Sequence, residues 1–134
     1  NEGGPNSGPR NGEDGYVLLT ASEVLTASAT TTFISSNAFA ATSVPTTSRI
    51  VIFEEDVASP TLNTDIIASI SRDGGSTFTT ATLADSGYVT GSSGQRILTG
   101  QATISGQPSG QSMRWKITLQ NNTVKIHGVS LAWA

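Results

Sequence analysis

The clearest periodicity in the chain runs from Ser112 to Gln120. Met113, Trp115, Ile117 and Leu119 fall on one parity, and Arg114, Lys116, Thr118 and Gln120 on the other. A period of two puts successive side chains on opposite faces of a pleated strand. The run therefore predicts a half-buried antiparallel strand with one wet face. Asn121-Asn122 turns the chain, after which Val124 and Ile126 alternate with Lys125 and His127. At Gly128 the phase slips, and Val129, Leu131 and Trp133 carry the apolar parity. A β-bulge at or near Gly128 would return all five apolar side chains to the core face.

Other stretches carry strand signals as well. Arg49–Glu55 contains the continuous run Ile50-Val51-Ile52-Phe53, the pattern of a strand covered on both faces or covered by a partner. Thr64–Ser71 and Thr77–Leu83 flank the tight-turn residues Asp73-Gly74-Gly75 and read as a hairpin. Gln95–Ile104 adds a strand, and Tyr16–Thr20 a short apolar run. Val24–Ser35, with its Thr30-Thr31-Thr32 triplet, suits a pleated surface better than a helix interior. Asn37–Ser48, Ser86–Gly94 and Ser105–Gln111 read as loops or turns. About eight strands and no helical periodicity predict a single all-β domain over residues 16–134. Its expected form is an antiparallel β-sandwich, with the jelly roll among its arrangements. Residues 1–15, NEGGPNSGPRNGEDG, hold no apolar side chain apart from prolines. They cannot bury enough surface to offset their ordering entropy, so they predict an extended polar N-terminal arm. Such an arm gains order by lying against a neighbouring subunit or by folding back on its own domain.

Composition sharpens this picture. The 134 residues suit one domain, and their 13% charged content lies well under the ~25% of average soluble domains. With 18 Ser, 19 Thr and 14 Gly, the chain lacks the Ala, Glu, Lys and Leu bulk of a helical bundle. There is no cysteine, which excludes disulfides, thiolate zinc sites and a cysteine nucleophile. His127 is the only histidine, which excludes a two-histidine metal site within one chain. No apolar run approaches the ~18 residues of a membrane helix, and no signal-peptide pattern is visible. The net charge of −3 is unevenly spread. Residues 1–67 carry eight acids against Arg10 and Arg49, whereas residues 68–134 carry Asp73 and Asp85 against five bases. That asymmetry favours head-to-tail contacts between copies, with ordinary surface scatter as the alternative. No basic cluster interleaves with exposed aromatics, so no nucleic-acid partner is expected.

Candidate chemistry is sparse. Ser71, Asp73, Gly75, Thr77 and Phe78 fit a Ser-x-Asp-x-Gly-x-Thr-aromatic pattern that resembles the Asp-box hairpin of sialidases and other β-proteins. Asp73 is placed to accept turn amides, Gly75 to take a positive φ, and Phe78 to fold inward as an anchor. The expected role is structural, with sugar or ion binding as the alternative. Glu54 and Asp56 share a strand face; they read as a solvated strand end, or as part of a hydrolytic pair or a calcium site. His127 falls on the polar parity, and no Gly-x-Ser-x-Gly elbow accompanies it. Trp115 and Trp133 sit on the apolar parity and read as core anchors before sugar platforms. Tyr88, in a Gly/Ser loop, and Arg114 and Lys116, on the polar strand face, are the candidate surface contacts. No catalytic residue, metal ligand or cofactor is expected.

Three phrases carry a family resemblance: LNTDIIASISRDGGSTF from Leu62, GQRILTGQATISGQPSGQSMRWKI, and NNTVKIHGVSLAW near the end. In their order and spacing, residues 62–133 resemble a module of tailed-bacteriophage virion proteins. The resemblance implies a non-enzymatic structural part, of tail-fibre or capsid-surface type, located in the virion and made in the host cytoplasm. Its implied partners are further copies of itself and other virion proteins. A carbohydrate- or receptor-binding module of a phage adhesin, contacting a host surface glycan, is the alternative.

Overall fold

The computed structural model describes residues 25–26, 31–92 and 94–134. The expected arm over residues 1–15 and the run Tyr16–Thr20 lie outside them. Among the described residues there is no helix, and nine strands form in chain order. They are β1 (Leu25–Thr26), β2 (Thr31–Ser35), β3 (Phe39–Ala40), β4 (Thr47–Asp56), β5 (Ile66–Ser71), β6 (Thr79–Tyr88), β7 (Gln95–Thr103), β8 (Ser112–Gln120) and β9 (Val124–Trp133). The sheet order is β1-β9-β4-β7-β6-β5-β8-β2, with β3 also on β8, and every pairing between named strands is antiparallel.

One strand bends this sheet into a half-barrel. The first residues of β6, Thr79–Ala81, pair with β5; Thr82–Asp85 and Tyr88 pair with β7. Where β6 leaves β5, Asn63 replaces the missing ladder. Its amide Nδ2 donates to the Leu83 carbonyl at 3.0 Å, and its Oδ1 accepts from the Leu83 N–H at 2.7 Å. Asn63 itself sits at φ +67°, a left-handed conformation that asparagine tolerates better than most residues. Curling brings the concave sides together around one core. Ile50 and Ile52 of β4, Leu98 of β7 and Val124 of β9 meet Ile66, Ala68 and Ile70 of β5 and Met113, Ile117 and Leu119 of β8. Full burial of each large aliphatic side chain stabilises the fold by about 1.5–3 kcal/mol.

The phase slip is a bulge. Glu54 pairs with Ile126 and Phe53 with Gly128, so His127 is the extra residue. Beyond it Val129, Leu131 and Trp133 return to the core face and pack against the cluster, as Trp115 does from β8. Several expectations need correction. Asn37–Ser48 is not all loop. It contains β3, and Ser36 bridges the irregularity between β2 and β3: its N–H donates to the Trp115 carbonyl and its Oγ accepts from the Trp115 N–H, both at 3.1 Å. Tyr88 ends β6 and does not sit in a loop, because a register shift after Asp85 lets pairing resume with Arg96. Val51 and Phe53 are only half-buried, so within this chain the Ile50–Phe53 run has one fully covered face rather than two, and the alternative of cover by a partner is the one compatible with it.

Candidate functional site

The Asp73 turn is built as its residue types require. Ser71 Oγ donates to Asp73 Oδ1 at 2.7 Å and accepts from the Gly75 N–H at 2.9 Å. Asp73 Oδ1 also accepts from the Thr77 N–H at 2.8 Å. The Ser71 hydroxyl, then the Thr77 amide, hold the Asp73 carboxyl below its usual range. Gly74 and Gly75 take φ of +76° and +97°, which an L side chain rarely adopts. Phe78 lies outside the core cluster: its half-buried ring rests beside Gly75 of its own hairpin, where an added Cβ would meet it at 3.7 Å, and under the Lys116 ammonium, 4.3 Å from the centroid.

Lys116 therefore sits in an aromatic setting on the convex face of β8. The Phe33 ring of β2 lies 6.0 Å from the same ammonium and is 66% exposed. Arg114 runs along the next outward position, close enough to Gly75 that an added Cβ there would meet its Cδ at 3.2 Å. Among the described residues neither Arg114 nor Lys116 makes an ion pair, and Arg114 Nε is buried without a hydrogen-bond partner. The structure thus gathers two of the three candidate contacts, Arg114 and Lys116, around two phenylalanines.

Tyr88, the third, lies elsewhere. It is 62% exposed and pairs across strands with Arg96 on β7. Arg96 gathers three carboxylates at one rim of the half-barrel: Nε donates to Glu54 Oε1 at 2.5 Å, Nη2 to Asp56 Oδ1 at 2.9 Å and Nη1 to Asp85 Oδ2 at 3.2 Å. Glu54 is fully buried, not the solvated strand end its acidic neighbours suggested, because it continues the inward parity of Ile50 and Ile52. Burial pushes its carboxyl above the ordinary range against the opposing pull of Arg96, and its Oε2 has no partner among the described residues. These acids converge on a guanidinium and do not face one another across a cleft. A group of at least three His, Asp or Glu arranged to hold a metal is not found among the described residues.

The remaining candidates are local. His127 Nε2 lies 3.0 Å from Glu55 Oε1 on the convex face, and that contact, then Lys125, holds the Glu55 carboxyl low. Ser48, Arg49, Gln101 and Trp133 line a shallow depression of ≈ 250 Å³, with Arg49 Nη2 donating to Gln101 Oε1 at 3.1 Å.

Sequence reasoning missed the densest polar cluster. Arg72 is 5% exposed and its guanidinium donates only to backbone carbonyls: to Pro45 at 2.7 Å, Ser105 at 2.9 Å, Pro108 at 3.1 Å, and also Gln107. The buried Gln107 side chain accepts from the Arg72 N–H at 2.8 Å and donates to the Ile70 carbonyl at 2.7 Å. Together they clasp the loop before β4, the turn after β7 and the end of β5. The one available signal was an arginine directly beside an inward-facing strand end. No family model, curated protein or solved structure matches this chain.

Proposed function

We propose that this chain is a non-catalytic building block of a bacteriophage virion, of tail-fibre or capsid-surface type, which works by assembling with further copies and with other virion proteins. The observation that carries this reading is the contrast between interior and surface. The most buried charges serve the fold itself, Arg72 on carbonyls and Glu54 on Arg96, while large apolar side chains such as Phe33 and Tyr88 stand in solvent. Exposed aromatics on a rigid β-body are what a partner surface covers. The resemblance of residues 62–133 to virion modules supports the particle context. The fold proposed for it is a flattened two-layer sandwich, with β6 crossing between layers at one margin.

The test is sedimentation velocity of the full chain across micromolar to submillimolar concentration, with electron microscopy of the products. Concentration-dependent oligomers of regular shape are expected, and a monomer throughout overturns the reading. A second reading, glycan binding, is supported by the depression where Trp133 lies beside Arg49 and Gln101. It requires a glycan affinity that Arg49→Ala abolishes.

A further inference from the structure

Two surfaces on this chain are chemically opposite. The first is the convex face of β8, where Lys116 lies between the Phe33 and Phe78 rings and Arg114 runs alongside. Flanking rings strip part of the water from an ammonium, so a carboxylate that reaches it loses less hydration than at a free lysine. The second is the rim around Arg96, where three carboxylates outnumber one guanidinium. Asp56 and Asp85 keep 37% and 46% of their side chains in solvent there. Two large apolar side chains are exposed beside them: Val57 follows Asp56, and Tyr88 faces Arg96 across the ladder.

Each surface pairs charge of one sign with exposed apolar area. Neither is self-complementary, because a copy of the cationic face would meet a cationic face. We propose that the cationic β8 face of one copy docks on the acidic Arg96 rim of the next, so that the chain assembles head to tail. This rests on the assembly reading above and names the surfaces that perform it. A contact between two different patches leaves one of each kind unsatisfied at the ends of any chain of copies. It therefore closes into a ring when the rotation per copy divides a full turn and otherwise extends as a filament. Complementary potentials also steer encounter, so association quickens at low salt.

The experiment uses three forms of the full chain in sedimentation velocity: wild type, Phe33→Glu/Lys116→Glu, and Val57→Lys/Tyr88→Lys. The second double variant leaves every carboxylate on Arg96 in place. Wild type is expected to grow beyond dimers. Each variant alone is expected to associate at least about tenfold more weakly. The two mixed are expected to pair one to one and stop, because the first keeps its rim and the second keeps its cationic face. Folded variants that fail to pair on mixing, or that assemble like wild type, overturn the head-to-tail contact while leaving an assembling wild type consistent with the broader reading. A monomeric wild type overturns both. If a charge-reversed variant melts early, Phe33→Ser and Tyr88→Ser, which change exposed rings alone, carry the same mixing test.

Discussion

Replacing Arg72 with methionine keeps much of the side-chain length and removes every donor. Four backbone carbonyls then lose their partner: those of Pro45, Ser105, Gln107 and Pro108. The bonds to Pro45 and Gln107 are buried, whereas those to Ser105 and Pro108 are part-buried and open to replacement by water. An orphaned buried acceptor costs about 1–3 kcal/mol, so two of them give about 2–6 kcal/mol. Against this the variant is spared the cost of burying a cation. A net loss of about 3 kcal/mol is expected, a large share of the 5–15 kcal/mol that holds a typical domain. Arg72→Lys preserves the charge, but one compact ammonium cannot fork to carbonyls on separate loops, so it should recover less than half of that loss. Urea unfolding followed by tryptophan fluorescence from Trp115 and Trp133 reads the difference directly. A methionine variant within about 1 kcal/mol of wild type would show that the loops rehydrate freely, and the clasp would lose its stabilising role.

Gly110→Ala should cost at least about 2 kcal/mol, because the added methyl would run into the Arg72 carbonyl oxygen and lie 3.2 Å from Asp73 Cα; unchanged stability would refute that packing. Two of the perturbed acids, Asp73 and Glu54, predict pH dependences of opposite sign. Asp73 is held below its ordinary 3.8, so its contribution is present above that pH and disappears as pH falls through the lower folded value. Glu54 is raised above its ordinary 4.5, so its contribution is full below 4.5 and declines as pH rises through the folded value. The stability of wild type minus that of Glu54→Gln should therefore fall as pH rises above about 4.5, and a flat difference in urea titrations would contradict the assignment.

Much of the sheet was legible because period-two patterning is local information. Ser112–Gln120 coincides with β8, and the slip at Gly128 located the bulge before any partner strand was known. Trp115 and Trp133 followed from parity alone. What escaped is what depends on distant partners. Arg72 and Asn63 find their roles on segments some 20 to 36 residues away, and beyond the place of Arg72 beside an inward-facing strand end their sequence neighbours do not announce them. Glu54 was legible in principle: parity put it inside with Ile50 and Ile52, yet the acidic run Glu54-Glu55-Asp56 suggested solvent. Parity outweighed charge because Arg96 enters from β7 to meet it. The convex grouping of Phe33, Lys116 and Phe78 joins three separate strands and hairpins, so only the register of β2 on β8 reveals it.

The place of β9 in the sheet has a consequence for biosynthesis. It lies between β1 and β4, so the sheet cannot be completed until residues beyond Val124 have been made. Asp56 waits for Val124, and Ser48 for Trp133. At ~5–20 residues per second, a delay of about 70 residues lasts on the order of 4–14 seconds on the ribosome. During that interval the isoleucines of β4 are already synthesised without a native neighbour on that side, and the unpaired edge is open to non-native strand pairing until β9 arrives.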